Sequence, residues 1–210
     1  MYANNKYNQK QMQQMPMGYV RVIHTVPGAP NVDVYANDKK IVSNLAYGNY
    51  TDYLSVPEGK YKISLYPAGK KDTPILSDML TVNRDTVMTI AALGNPDDIE
   101  LSSISDADVM KKPDKAMIRF IHLSPDAPAV DITLPDGTVL FSNIPFEHLT
   151  QYIDVMPMNY TLQVRVAGTD NVVLTVPDVK PEANKFYSVY AIGLVGDTPE
   201  LKALLVQDGR

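Results

Sequence analysis

The chain has 210 residues, of which 45% are hydrophobic and 20% are charged, and its formal net charge is -5. This composition predicts a folded protein of one or two domains, because it supplies enough apolar side chains to build real cores. The negative charge and the lack of a long Lys/Arg run argue against nucleic acid as a partner, since nucleic-acid affinity depends on cationic side chains that neutralise phosphates. The absence of cysteine excludes disulfides, thiolate metal sites and a cysteine nucleophile.

Residues 1–18, MYANNKYNQKQMQQMPMG, lack the apolar stretch of a signal peptide, and no apolar run of the chain approaches the ~20 residues that span a bilayer. We therefore expect cytoplasmic synthesis and no membrane insertion. Four Gln, three Asn and four Met without an apolar period predict a flexible tail. Two interpretations stay open: the tail has no role, or it pairs along an exposed edge strand of a neighbouring subunit as an assembly arm.

Two parts of the chain repeat each other at a nearly constant offset. RVIHTVPGAPNVDVY at 21–35 aligns with RFIHLSPDAPAVDIT at 119–133, and after one inserted residue VSNLAYGNYTDYLSV at 42–56 aligns with FSNIPFEHLTQYIDV at 141–155. The identical pairs include Arg21/Arg119, Ile23/Ile121, His24/His122, Pro27/Pro125, Ala29/Ala127, Pro30/Pro128, Val32/Val130, Asp33/Asp131, Ser43/Ser142, Asn44/Asn143, Thr51/Thr150, Tyr53/Tyr152 and Tyr61/Tyr160. This agreement indicates a duplication, and each copy of about 100 residues has the size of an independent domain.

Within a copy, β-branched and aromatic runs alternate with turn residues every 8 to 12 residues or so, the pattern of a β-sandwich. The strands predicted for the first copy are 19–25, 32–35, 39–42, 50–56, 61–66, 75–82, 87–93 and 100–104, and the second copy repeats their order. A turn is predicted at Val56–Gly59, with Gly59 able to supply a positive φ. The predicted organisation is a tail (1–18), a first sandwich (19–106), a polar linker (107–115) and a second sandwich (116–210).

One phrase of the second copy resembles a known family. His-x-Ser-Pro-Asp-Ala-Pro-x-Val-Asp stands intact from His122 to Asp131 and is followed by Phe141-Ser142-Asn143-Ile144, as in DUF4397, a domain of unknown function. The first copy carries the phrase from His24 to Asp33, with Val26 and Gly28 in place of Ser and Asp.

The resemblance covers roughly residues 18–106 and 116–208. It implies an all-β fold of two tandem immunoglobulin-like or transthyretin-like β-sandwich domains, of a kind usually found in bacterial secreted or cell-surface proteins. It implies no catalytic residues, because the family has no established enzymatic activity. An exported family without an export signal also fits a spore-surface protein that is made in the mother cell and deposited on the spore.

The repeated pairs His24 with Asp33 and His122 with Asp131 are the sharpest candidate binding residues, since each pair flanks a Pro-rich turn. One interpretation is a His–carboxylate pair that orients a ligand or metal, because Asp can fix a His tautomer. The favoured interpretation is that both side chains hold down the backbone of a rigid loop. A metal site usually needs three or four ligands, so we expect neither a metal nor another cofactor.

Tyr47 and Tyr50 complete the candidate binding residues, because exposed Tyr suits glycan stacking or protein contact. Strand packing explains them equally well. Tyr53 and Tyr61, which both copies keep, are predicted to lie in the core.

Other polar clusters carry weaker signals. Ser124 beside His122 superficially resembles the start of a hydrolase site, but the first copy has Val26 there. Asp97-Asp98 and Asp106/Asp108 match no calcium loop, so solvated acidic turns are favoured for them.

These observations predict a non-enzymatic structural or interaction protein of a bacterial outer layer, on the cell or the spore surface. Its expected partners are other copies of itself or other surface proteins. The alternative is a binding module for cell-wall glycan or another surface polymer.

Overall fold

The computed structural model describes residues 15–108 and 112–210, and every regular element in these ranges is a β-strand. The sixteen strands are β1 (Met17–His24), β2 (Val32–Ala36), β3 (Lys39–Leu45), β4 (Leu54–Pro57), β5 (Gly59–Pro67), β6 (Leu76–Val82), β7 (Val87–Asn95), β8 (Asp98–Ser105), β9 (Ala116–His122), β10 (Val130–Thr133), β11 (Val139–Ile144), β12 (Ile153–Val155), β13 (Tyr160–Val166), β14 (Val172–Val179), β15 (Phe186–Ile192) and β16 (Lys202–Asp208). Within the described ranges, no helix has the length and apolar character needed to cross a bilayer.

All eight strands predicted for the first copy are present. Two details differ from the prediction. The strand expected at 50–56 begins only at Leu54, and Tyr50 makes a single bridge with Ile23. Gly59 was expected in a turn with positive φ, but it begins β5 and is not among the residues with positive φ. Glu58 alone separates β4 from β5, because the chain passes there directly from one sheet to the other.

The strands form four sheets of four strands, and hence two β-sandwich domains. The first domain has an inner sheet, β4-β1-β7-β8, and an outer sheet, β3-β2-β5-β6. The second domain repeats this topology with an inner sheet β12-β9-β15-β16 and an outer sheet β11-β10-β13-β14. In each inner sheet the first strand of the domain runs parallel to an adjacent strand, β1 beside β7 and β9 beside β15. The predicted duplication is therefore also a duplication of topology.

The hydrophobic core lies in three layers. One apolar cluster fills the first sandwich and two adjoining clusters fill the second. A further cluster joins the two inner sheets, with buried side chains from both domains: Ile23, Ala91, Leu93, Ile104, Ile121, Leu123, Tyr190, Ile192 and Val206. The sheets are thus stacked as outer, inner, inner and outer.

This stacking explains the sequence of the inner strands. Residues Val20–His24 of β1 and Ile118–His122 of β9 are buried without interruption, whereas the outer strand β3 is mostly exposed or half-buried. A strand covered on both faces reads as a continuous apolar run, because neither set of alternate side chains meets water. Each of these runs contains one arginine, Arg21 in β1 and Arg119 in β9. A buried guanidinium group needs a buried partner that accepts its hydrogen bonds.

Candidate functional site

His24 and His122 lie at the ends of β1 and β9, and each is 1% exposed. Nε2 of His24 lies 3.1 Å from the Pro30 carbonyl, and its Nδ1 lies 3.4 Å from the Val26 amide nitrogen. The ring of His122 has the same contacts with Pro128 and Ser124, at 3.1 and 3.3 Å. A carbonyl only accepts and an amide only donates, so these partners assign the proton to Nε2 and leave Nδ1 as an acceptor.

Both imidazoles are therefore neutral. Burial lowers the pKa of His24 and of His122 below the ordinary value, because the charged form loses its hydration inside the protein. The rings tie the Pro-rich loop to the end of an inner strand.

Asp33 and Asp131 hold a different part of the backbone. Asp33 accepts hydrogen bonds from the Asn44 amide at 2.8 Å and the Gly69 amide at 3.1 Å, and from Lys40 Nζ at 2.6 Å. Lys40 and these amides lower the pKa of the Asp33 carboxyl to about 2. The carboxylate is therefore ionised at neutral pH and joins β3 to the turn after β5.

Asp131 repeats these backbone contacts, with the Asn143 amide at 2.7 Å and the Gly168 amide at 2.8 Å. Asn143 has a φ of 51° and Asn44 a φ of 54°, in the left-handed region that asparagine tolerates better than most residues. The aspartates thus stabilise a bulge that both copies share, which explains why Asn44 and Asn143 are identical in the repeat.

The structure does not join His24 to Asp33, or His122 to Asp131, in a hydrogen bond. The histidines end strands of the inner sheets, whereas the aspartates belong to strands β2 and β10 of the outer sheets. All hydrogen bonds of the histidine rings and most of those of the aspartates go to the backbone. In the part of the chain that the structure describes, no three His, Asp or Glu side chains are grouped to hold a metal ion.

Ser124 is buried, and its Oγ donates to the Gly193 carbonyl at 2.6 Å. The Nδ1 atom of His122 accepts the backbone amide of Ser124 instead of its hydroxyl. Nucleophilic catalysis needs a base that removes the proton of the hydroxyl. The two side chains are therefore adjacent without forming a nucleophile–base pair.

Tyr47 and Tyr50 occupy different environments. Tyr47 is partly buried against the shared apolar cluster, and its ring meets His24 edge-on with centroids 6.2 Å apart. Burial raises the pKa of Tyr47 to about 12. Tyr50 is 45% exposed. Of the two, Tyr50 is the one that offers an aromatic ring to solvent.

The most elaborate polar cluster lies between the inner sheets and was not among the predicted site residues. We call it the interface network. It consists of two related sets of side chains: Arg21, Tyr53, Thr89 and Asp106 from the first domain, and Arg119, Tyr152, Ser188 and Asp208 from the second. The side chains of its two arginines and two aspartates are at most 3% exposed.

Each arginine of the network reaches into the other domain. Arg21 Nη2 donates to Asp208 Oδ1 at 2.7 Å, and Arg21 Nη1 donates to the Gln207 carbonyl at 2.8 Å. Arg119 pairs in the same way with Asp106 and donates to the Ser105 carbonyl at 2.7 Å. Each domain therefore supplies one arginine to a carboxylate of the other domain.

Hydroxyl groups complete the hydrogen bonds of both carboxylates. Thr89 donates to Asp106 at 2.6 Å and Ser188 donates to Asp208 at 2.5 Å, while each hydroxyl accepts from the arginine of its own domain. Tyr53 and Tyr152 donate to the same two carboxylates, at 2.7 and 2.8 Å. Burial, followed by the neighbouring carboxylate, raises the pKa of both phenols, so they keep the protons that they donate.

The prediction that Asp106 lies in a solvated acidic turn is wrong, because its carboxylate is buried in the interface network. Part of the network was visible in the sequence, where Arg21/Arg119 and Tyr53/Tyr152 are identical pairs. Asp106 and Asp208 lie outside the aligned segments, so only the fold shows that they belong together.

Replacing Arg21 with Met should lower the free energy of unfolding by about 3–5 kcal/mol, because Asp208 would lose its closest buried cation. Urea denaturation followed by circular dichroism measures this loss. Arg84→Met is the matched control: Arg84 pairs with Asp85 on the surface, where such a pair contributes about 0–1 kcal/mol. Equal effects of the two substitutions would contradict the assigned role of Arg21.

The two buried histidines should make stability depend on pH. An unfolded histidine has a pKa of about 6.5 and the folded values are lower, so this stabilisation is complete above about pH 6.5 and decreases as the pH falls towards the folded-state pKa. The double variant His24→Gln/His122→Gln should flatten the dependence of the unfolding free energy on pH below about pH 6.5. His148→Gln, at an exposed histidine, should leave it unchanged. If the unfolding free energy of the double variant depended on pH as steeply as that of the wild type, the two histidines would not be the cause of this dependence.

Comparison with known proteins places the chain in a family. The Domain of unknown function DUF4397 matches residues 18–133, which is more than half of the chain and extends from the first sandwich through β10. A comparison with curated proteins gave no match. One similar solved structure is the carbohydrate-binding module CBMbc (family CBM26) from Eubacterium rectale Amy13K in complex with maltoheptaose. Its sequence is 9% identical to this one over 92% of this chain and 98% of that chain, and the TM-score is 0.30. The family match shows that this chain belongs to the DUF4397 family.

Proposed function

We propose that the protein is a non-catalytic structural protein of a bacterial outer layer, on the cell or the spore surface, in which a tandem pair of sandwiches acts as one rigid building block. The observation that carries this proposal is the interface network. Domains of one chain usually move relative to each other unless a large apolar interface holds them. Here a shared apolar cluster and two exchanged Arg–Asp pairs join the inner sheets.

The repeated side chains support the same proposal. His24, Asp33 and Thr51 all bond to the backbone within their own domain, and their counterparts in the second copy make the same kinds of contact. Tyr61 and Tyr160 each donate to a backbone carbonyl four residues earlier. What the duplication preserved is therefore a set of contacts that build the domain and its interface.

Assembly into a layer or fibre requires contacts between copies. In the described sheets, β3 and β4 are edge strands, and residues of both line one opening of the first sandwich. Such edges can accept an additional strand through backbone hydrogen bonds, whatever its side chains. We propose that residues 1–14 of the N-terminal tail supply that strand to a neighbouring copy. These residues lie outside the described part of the chain. Met17 and Gly18, which the predicted tail included, instead begin β1 and pair with β4 of the same chain.

The full chain should form oligomers or fibres that are lost in a variant beginning at Met15. Sedimentation velocity and negative-stain electron microscopy measure this difference. The matched control replaces every second residue of 1–14 with Pro, which keeps the length of the segment but removes backbone N–H donors, and it should lose the oligomers as well. A full chain that stays strictly monomeric, with or without residues 1–14, would overturn the assembly proposal.

Glycan binding is the second candidate, and the exposed ring of Tyr50 favours it. Exposed aromatic rings provide a large contact area at low entropic cost. If this candidate is correct, the protein should be enriched on purified cell-wall polymer, and Tyr50→Ala should weaken binding by ~1 kcal/mol or more. Leu149→Ala, at the exposed counterpart in the second domain, should have no effect. Absence of enrichment for the wild-type chain would exclude this function.

A further inference from the structure

The first sandwich contains an apolar cavity of about 490 Å³ that opens between its two sheets. We call this cavity the slot. Val20, Leu54, Val56, Ile63, Leu80 and Val82 form most of its apolar wall. Its volume lies within the range of about 300–1,000 Å³ that is common for ligand sites.

The position of the slot follows from the topology. β3 is the edge strand of the outer sheet and β4 is the edge strand of the inner sheet, and residues of both strands line the opening. Neither edge has a further strand beside it among the described residues. The core of the first sandwich is thus accessible between these two edges.

The second domain has a larger side chain at one position of this wall. Ala36, which lines the slot, corresponds in the repeat to Leu134. Leu134 packs against the second core. The two copies therefore have the same fold but differ in the volume of the side chain at this position.

A positive charge stands at the opening of the slot. Lys39 pairs in register with Ala36, lines the slot and is exposed. Among the described residues it has no ion-pair partner, whereas the neighbouring Lys40 is bound to Asp33 at 2.6 Å. The register counterpart of Lys39 in the second domain is the uncharged Thr138. The slot of the first domain thus combines an apolar wall with the ammonium group of Lys39, which has no ion-pair partner among the described residues.

We propose that the slot binds an anionic amphiphile, with a single aliphatic chain against the apolar wall and an acidic head group beside Lys39. Apolar surface removed from water supplies most of the affinity, at about 25 cal/mol per Å². The ammonium group of Lys39 fixes the orientation, because it attracts the head group to the opening. A free fatty acid and a single-chain lipid share this chemistry, and the site requires no contact between copies of the protein.

Isothermal titration calorimetry of the full chain with decanoate, below its micellar concentration, tests the site. We expect saturable binding of one decanoate per chain and weaker binding of decyltrimethylammonium, which has the same chain and the opposite charge. Lys39→Thr, which copies the second domain, should weaken decanoate binding about two- to fivefold and leave 1-decanol binding unchanged. Thr138→Lys is the matched control and should change neither.

Narrowing the slot should weaken binding of both decanoate and 1-decanol. Ala36→Leu introduces the side chain that the second domain has at that position, and circular dichroism verifies that the variant is folded. Saturable binding in Ala36→Leu equal to that of the wild type would overturn the proposal, as would an unsaturable wild-type titration. If only a variant lacking residues 1–14 binds decanoate, those residues occupy the slot in the full chain and the proposal also fails.

Discussion

Two arginines and two aspartates are buried between the inner sheets, and each arginine is paired with a carboxylate of the other domain. Removing four charges from water is costly, and their mutual attraction offsets this cost only when the geometry is good and the remaining hydrogen bonds are made. Thr89, Ser188 and the two tyrosines make those bonds. We infer that the network selects one relative orientation of the domains, because other orientations would leave buried charges without partners.

The rest of the architecture follows from this interface. Because the inner sheets face each other, their strands are covered on both faces, and β1 and β9 are apolar except for the arginine that the network requires. The outer sheets keep one face in water and carry polar residues there. His24 and His122 hold the Pro-rich loops, and Asp33 and Asp131 hold the turns that follow β5 and β13. The molecule is therefore a stack of four sheets, with its strongest polar contacts at the centre.

The two domains are most alike at the interface and less alike at the periphery. Arg21 and Arg119 have equivalent contacts, as do Tyr53 and Tyr152. At the edge beside β3, in contrast, the first domain has an apolar slot lined by Ala36 and Lys39, where the second domain has Leu134 and Thr138. An interface between duplicated domains restricts both copies, since each must match the other. An exposed edge has no such restriction, so differences that bear on ligands can accumulate there.

The sequence by itself determined the duplication, the all-β class and the position of nearly every strand of the first copy, because these depend on local patterns of β-branched residues and turns. It also pointed to a structural role for His24 and Asp33, whose partners lie within the same loops or neighbouring strands. Only the tertiary structure decided that Asp106 is buried and that Asp208 faces Arg21, because these residues are far apart in the chain and outside the aligned repeat. The same holds for the slot: whether a residue such as Ala36 fills the space between two sheets depends on how far apart their edges lie, and that distance is set by packing across the whole domain.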